Sequence, residues 1–559
     1  MLRRIVLIGA TGFFGRRLAQ HLAAIEGVEL VLTSRSEERA QAVAKPLGGG
    51  AKITAFAFDR DDASSVARLK MLSPWLVIDA SGPFQSASYD LARAAIGLGA
   101  HWIDLADARD YLLGFGAALD QIASDSGGVA RAGASSTPAL SMAVIEDVTR
   151  GWERVDSVDI AIMPGGAGDV GEAVIRAILS YAGSTIASYD EGTPNEITGW
   201  GSLRRVTVDR LGTRHLSPVE TADAALMEHR FAVTSRVTFS AGLESRVEQL
   251  GLFGLAQLRR RGVISGSESL APLLAKARRV TRAFASDRGG MTVTCAGLDA
   301  KGRQISARWS LHAEKGHGPD VPVLPAIALT RALLRGEGKA GAAIAVLSLK
   351  DVEAEMSPPS LTTSRTSRIG SGRGLVALAC GEEDYRLLPS ALRAFHDQDA
   401  PPVWRGKADI DASTSVAGRF LRVLFGFPPS GRNVPVTVTV DRYGEGETWT
   451  RNFDGKRFAS RIAYEGRSFV SERFGPFRIL LRLSARGGEI QMPVIGWQVG
   501  RIKLPLFLAP KSETREFVGD DGRFHFDVAI RVPLVGLLAH YRGWLVPKMA
   551  VVREPLDSN

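Results

Sequence analysis

At 559 residues, with 45% hydrophobic and 23% charged residues, the chain has room for about three to four domains and the composition of an ordinary globular protein. Its two cysteines, Cys295 and Cys380, exclude a disulfide framework and a cysteine-based zinc site, and they fit a reducing, cytosolic compartment. The net charge of +9 lies mainly in the last third, as arginines scattered through alternating patterns with no basic stripe, which argues against nucleic acid as a partner.

The apolar run before Gly9 is too short for a signal peptide and reads as a buried first strand, Ile5–Ile8. No stretch approaches the ~20 apolar residues of a membrane span. Phe13–Ile25 then predicts an amphipathic helix, Val28–Thr33 a strand, Glu37–Pro46 the start of a helix, and Ile53–Phe58 a third strand. Leu76–Asp79 predicts a strand, Tyr89–Leu98 a helix and His101–Leu105 a strand. A βαβ rhythm needs crossover connections, hence a doubly wound parallel sheet of Rossmann type covered on both faces, over residues 1–135.

Beyond that the rhythm changes. Strand patterns at Val155–Met163, Arg204–Leu211, Arg230–Phe239, Met291–Leu298 and Gln304–Leu311 alternate with helical ones at Gly171–Ser184, Gly251–Arg261 and Leu270–Phe284. They predict an α+β substrate or dimerisation domain with an antiparallel sheet over 136–355, whose helix at 324–335 can return to the first domain. Residues 356–384, rich in Pro, Ser, Thr and Gly, read as a linker. Residues 385–552 read as a β-rich unit. Helical patterns at Leu388–Ala394 and Gly418–Phe425 precede strands at Val436–Val440, Glu447–Phe453, Lys456–Glu465, Ser468–Gly475, Phe477–Ala485, Glu489–Ile495, Ser512–Val518 and Arg523–Val532.

The opening strand runs into Gly9-Ala10-Thr11-Gly12-Phe13-Phe14-Gly15 and then a helix. Gly9 permits the sharp turn, Gly12 lets a pyrophosphate approach the backbone, and Gly15 lets the helix pack on the strand. The helix N-terminus adds free N–H groups and a positive dipole end. At the end of the second strand an NAD-preferring site would place an acid. This chain has Thr33-Ser34-Arg35, where Arg35 and Ser34 suit a 2′-phosphate and so favour NADP(H). Asp59 is read two ways: as an acceptor for the adenine amino group, or as the start of the charged turn Asp59-Arg60-Asp61-Asp62. The small-residue loop Ala80-Ser81-Gly82-Pro83-Phe84, beyond the fourth strand, suits the nicotinamide ribose.

These motifs in this order resemble the saccharopine-dehydrogenase-like NADP-binding family. The likeness rests on Gly9–Gly15, on Ser81-Gly-Pro-Phe84 with Tyr89 downstream, on His101-Trp-Ile-Asp104, and on Ala132-Gly-Ala-Ser-Ser-Thr-Pro138. It implies an NADP-dependent oxidoreductase that moves hydride to or from a small or lipid-like substrate. The segment from Gly418 to Phe427 and the following strands resemble a bacterial domain of unknown function often fused to such dehydrogenases, which implies no mechanism.

No residue is assigned to catalysis. Asp79, Tyr89, Asp104 and Asp107 lie in the right region but read more readily as structural than as catalytic, and Glu172 reads either as a second-domain contributor or as a helix-start carboxylate. A Tyr-x-x-x-Lys pair is absent, since Tyr89 is followed by Arg93. Spacing for a metal site and a Gly-x-Ser-x-Gly elbow are absent too. The segment Val532–Leu545 reads as core, as a cavity wall or as a peripheral membrane contact. The missing proton donor keeps a second function open: a redox-silent NADPH-binding sensor or scaffold with a lipid- or protein-binding C-terminal domain. A homodimer is compatible with all of these readings.

Overall fold

The computed structural model describes residues 2–548 apart from 86, 169–171, 265–269, 271, 273–275, 277, 279, 280, 284, 345, 357, 358, 444 and 445, with backbone alone at 172–174, 176, 177, 228 and 229. Three sheets organise the chain. The first holds β1 (Arg3–Ile8), β2 (Val28–Ser34), β3 (Lys52–Ala57), β4 (Leu76–Asp79), β5 (His101–Asp104) and β6 (Val129–Ala132). They are joined through α1 (Phe13–Ala23), α2 (Glu37–Ala44), α3 (Ser65–Leu72), α4 (Asp90–Gly97) and α5 (Arg109–Ser126). Strand order is Gly341–Ile344, β6, β5, β4, β1, β2, β3, all parallel. The elements α3, α5, β6 and Gly341–Ile344 go beyond the sequence reading.

Alternation along β1 explains the double winding. Ile5 and Leu7 join a core with Leu18 and Leu22 of α1 and with Ile327 and Leu333 of the helix Leu324–Leu334. Val6 and Ile8 join the opposite core with Leu91 and Ile96 of α4 and Leu112 and Phe115 of α5. β1 is therefore apolar on both faces, as a strand inside a covered parallel sheet requires. The helix Leu324–Leu334, late in the chain, fills a place on the first sheet that no earlier segment occupies.

The second sheet has nine strands around Trp152–Met163 and Gly289–Asp299. It is mixed and not purely antiparallel: Arg236–Ala241 runs parallel to Trp152–Met163. Part of the strand expected at Arg230–Phe239 is the end of the helix Asp223–Phe231, and the strand begins only at Arg236. The helix expected at Leu270–Phe284 lies largely outside the described residues.

The supposed linker 356–384 is not one. Leu361–Ile369 forms the edge of the second sheet, paired over its full length with Gln304–Ala313. Leu375–Cys380 is a helix whose apolar side chains enter the C-terminal core. Composition misled because an edge strand exposes one face, and Thr and Ser fit that face as well as they fit a loop.

The third sheet has thirteen strands, and every pair of neighbours is antiparallel. Val403–Ala412, Ile502–Leu504 and Gly536–Pro547 add to the strands expected from sequence, and two of those expected are split: Phe477–Ala485 into Phe477–Arg482 and Ser484–Arg486, and Glu489–Ile495 into Glu489–Gln491 and Val494–Val499, whose halves pair with different neighbours. In Gly536–Pro547, Leu538, Tyr541 and Leu545 are buried and face the domain core, while Leu534 in the preceding turn is exposed, so the Val532–Leu545 segment is core on one face only. This sheet meets the second domain through polar contacts: Arg236–Asp441, Arg457–Asp190 at 2.7 Å and Asn452–Glu191 at 2.9 Å. Among the described residues no helix is long and apolar enough to cross a membrane.

Candidate nucleotide and substrate site

The strand order reverses at β1, which has β2 on one side and β4 on the other, so a crevice opens at their carboxyl ends. Gly9 leaves β1 with φ +78, and a Cβ there would stand 2.8 Å from Cα of Ser81. This glycine therefore serves both the turn and the close approach of the loop after β4. The Gly12 amide donates to the Gly9 carbonyl at 2.9 Å, and α1 starts at Phe13 with no side chain capping its end. Its first N–H groups remain available to an anion. A Cβ at Gly15 would lie 2.0 Å from the Gly9 oxygen, so only glycine lets the helix sit this close.

At the end of β2 the Ser34 hydroxyl takes weak bonds from Thr11 and from the Ser36 amide, both at 3.4 Å. Arg35 is exposed and makes no ion pair with the described residues. An exposed, uncommitted guanidinium beside a hydroxyl at this position fits a ribose 2′-phosphate. Ala10 is fully buried and Phe84 nearly so, against Tyr111 at 5.5 Å, so these two offer backbone only. Asp59 lies two residues beyond β3 and accepts from the Asp61 amide at 3.2 Å, which favours the charged-turn reading.

Arg60, which the sequence reading passed over, organises the loop after β4. Its guanidinium lies 2.9 Å from Asp79 and 3.3 Å from the Ser81 hydroxyl, and 5.2 Å from the Phe84 ring. Asp79 also accepts from the Ser81 amide and hydroxyl, at 2.9 and 2.5 Å. Burial pushes its pKa up against the pull of Arg60. Asp79 is thus a clamp on the loop.

Asp104 is a second clamp. It accepts from Trp102 Nε1 (2.9 Å), the Tyr111 hydroxyl (3.1 Å), and the amides of Ala106 and Gly133 (both 3.0 Å). It thereby ties β5 to the loop after β6. Burial raises its pKa to about 6, with the bonds from Trp102, Gly133 and Ala106 pulling the other way. Tyr89 donates to the Tyr111 carbonyl at 2.8 Å. Three of the catalytic candidates are therefore committed to the scaffold, while Asp107 is exposed at the rim. The side chain of Glu172 lies outside the described residues.

The second domain contributes what one-dimensional reading could not locate. Tyr181, at the end of the helix Glu172–Tyr181, hydrogen-bonds the side chain of Gln85 in the loop after β4. Asp107, Glu220 and Asp110 surround it electrostatically, and burial raises its pKa. Glu220 is also raised by burial and accepts from the Ala187 amide at 3.3 Å. Among the described residues no group of three His, Cys, Asp or Glu side chains could hold a metal ion.

Between α1 and the second sheet lies a cavity of about 740 Å³. Phe13 and Phe14, directly after Gly12, form one wall. Ile178, Leu179, Leu252 and Leu255 form much of the other. Ser136, in the loop after β6, reaches it as well. Its polar end is built from Glu248, which pairs with Arg278 at 3.2 Å and accepts from the Thr281 hydroxyl.

Comparison with known proteins agrees with this geometry. Residues 5–144 match the saccharopine dehydrogenase NADP binding domain, and residues 388–545 match a domain of unknown function, DUF4166. No curated protein matches the chain in sequence. Among solved structures, apo saccharopine dehydrogenase (L-Glu forming) from Saccharomyces cerevisiae is 13% identical over 66% of this chain and 100% of its own, with a TM-score of 0.46. An engineered D-amino acid dehydrogenase bound to NADP+ is 13% identical over 64% and 98%, with a TM-score of 0.35. The DAP dehydrogenase of C. glutamicum, in complex with DAP, is 13% identical over 64% and 99%, with a TM-score of 0.33. Likenesses of that size carry no argument about substrate. The glycine turn and the uncapped helix thus lie within the span that matches the saccharopine dehydrogenase NADP binding domain, and a mixed sheet stands between that span and the one that matches DUF4166.

Proposed function

We propose that the protein is an NADP(H)-dependent oxidoreductase acting on a substrate with a largely apolar body. The observation that carries this reading is the position of the 740 Å³ cavity. Its wall includes Phe13 and Phe14 at the very helix end that would seat the pyrophosphate. The bound nucleotide supplies the hydride chemistry. The α1 amides and Gly12 would hold its pyrophosphate, and Arg35 and Ser34 its 2′-phosphate. The 80–84 backbone, held rigid by Arg60 and Asp79, would take the nicotinamide ribose. Tyr181, whose phenol is protonated at neutral pH and is pushed further up by burial, is the hydroxyl we assign to deliver a proton at the Gln85 side of the crevice. Apolar walls exclude water and favour hydrocarbon over a charged amino acid.

The redox-silent reading keeps one observation in its favour: Asp79, Tyr89 and Asp104 are all bonded within the scaffold. One experiment separates the two. NADPH is titrated first by fluorescence, then its oxidation is followed against a panel of aldehydes, ketones and imines of increasing chain length. The enzyme reading expects tight NADPH binding and turnover that rises with chain length. Tight binding with no turnover across the panel favours the sensor, and failure to bind NADPH removes both.

A further inference from the structure

The helix Val416–Phe425 of the C-terminal domain carries apolar residues on two opposite faces. Gly418 is buried, and Leu421 and Phe425 pack on the domain core, so one face is accounted for. Val416, Phe420, Val423 and Leu424 fall at i, i+4, i+7 and i+8, the spacing of a second stripe, and are 76%, 67%, 70% and 64% exposed. A helix at a protein–water boundary needs only one such stripe. The fold brings a second apolar element to this end of the domain. The Phe425 ring lies 5.3 Å from that of Phe477, and Phe477 pairs with Val499, which in turn pairs with Ile502. Ile502 is 68% exposed, and the short turn Leu506–Leu508 that follows exposes Phe507 by 76%.

Charge shows what this surface meets. Residues 412–440, 473–488 and 490–512, which build it, contain no Asp or Glu. Arg419, Arg501 and Lys503 are exposed beside the apolar residues and make no ion pair with the described residues. Exposed Phe and Leu fringed by unpaired Arg and Lys, over acid-free segments, match the two layers of an anionic bilayer surface: acyl chains below, phosphates above. A protein partner of ordinary composition would not select against every acid across three separate segments.

We propose that the helix Val416–Phe425 and the turn Leu506–Leu508 form a docking face for an anionic lipid bilayer, with Phe420, Val423, Leu424 and Phe507 entering the interface and Arg419, Arg501 and Lys503 contacting phosphate. The test is flotation of the full chain with phosphatidylcholine vesicles, with and without phosphatidylglycerol. The protein should float with the anionic vesicles and stay behind with the neutral ones, and added salt should release it. Replacing Phe420, Val423 and Leu424 by Ser should weaken binding by about tenfold or more. Changing Arg419, Arg501 and Lys503 to Gln should remove the preference for phosphatidylglycerol. All these changes are on the surface, so an unchanged transition of the C-terminal domain in denaturant serves as the check that the variants fold. The proposal is overturned if the wild type ignores anionic vesicles, or if the Ser variant floats as well as wild type. It is also overturned if the wild type ignores vesicles and runs as a dimer that the Ser variant converts to monomer, because a second copy then covers the face.

Discussion

The N-terminal and C-terminal sheets place charge in opposite ways. In the first, apolar residues fill both faces of β1 and charge gathers at the strand ends: Arg4, Glu29 and Lys52 pair at the amino ends, and at the carboxyl ends Arg35 stands uncommitted while Asp79 and Asp104 hold loops. In the last sheet, polar pairs are drawn inside: the ion pairs Arg442–Glu447 at 3.5 Å and Arg451–Glu472 at 3.6 Å, and the hydrogen-bonded His396–Glu516 at 2.7 Å. There, large apolar side chains stand outside on Val416–Phe425 and Leu506–Leu508. Unsatisfied groups mark where a partner belongs. For the first sheet that partner is an anion at a strand end. For the last the proposed partner is an apolar, phosphate-bearing surface.

Removing one member of an interior pair should have the largest effect. Glu447→Ala takes the carboxylate from the Arg442 guanidinium, 7% exposed and otherwise bonded to the Phe395 and Ala400 carbonyls, and leaves Trp449 Nε1 without its 2.7 Å acceptor. A loss of about 3–5 kcal/mol is expected, read as the C-terminal domain's own transition in denaturant. A loss below about 1 kcal/mol would mean that the interior of this sheet is wet and the contrast is weaker than drawn. In the N-terminal domain Gly15→Ala forces a Cβ onto the Gly9 oxygen, for about 3 kcal/mol and loss of NADPH binding. Retained binding in isothermal titration would show that the turn is not the nucleotide seat. Tyr181→Phe should lower turnover of an accepted substrate by about 10²-fold with NADPH affinity unchanged. A fall in affinity in place of turnover would make Tyr181 a positioning residue.

Asp104→Asn puts an amide donor opposite Trp102 Nε1 or the Tyr111 hydroxyl and should cost about 2 kcal/mol. It also tests linkage. With its pKa raised from 3.8 to about 6, the folded state takes up this proton before the unfolded state does. The Asp104 contribution therefore makes the domain gain stability as pH falls from above 6 towards 4, and lose it as pH rises through that window. Hydrogen exchange of β5 amides against pH should show this slope in wild type and not in the Asn variant. The smallest effect belongs to the most exposed group. Arg35→Ala should weaken NADPH by about tenfold and leave NADH unchanged. Equal weakening of both would discard the 2′-phosphate contact.

Local chemistry made the nucleotide module readable. Gly9, Gly12 and Gly15 sit within seven residues, and their roles follow from backbone geometry. Arg60 escaped notice because it lies inside the charged run 59–62 and meets Asp79 only when β3 and β4 are brought into one sheet. Tyr181 and Gln85 are far apart in sequence and meet only across a domain boundary, so no spacing could have linked them. The linker reading failed for a related reason: whether Leu361–Ile369 is loop or strand depends on Gln304–Ala313 being there to pair with it.

Periodicity and glycine placement were enough to specify a covered parallel sheet and a tight glycine turn leading into α1, because each depends on residues within a turn or a strand of one another. The apolar chamber, the clamps on Asp79 and Asp104, the hydroxyl at the crevice and the outward stripe of Val416–Phe425 came only from packing. Burial is a property of what lies opposite a residue, and the chain order does not contain it.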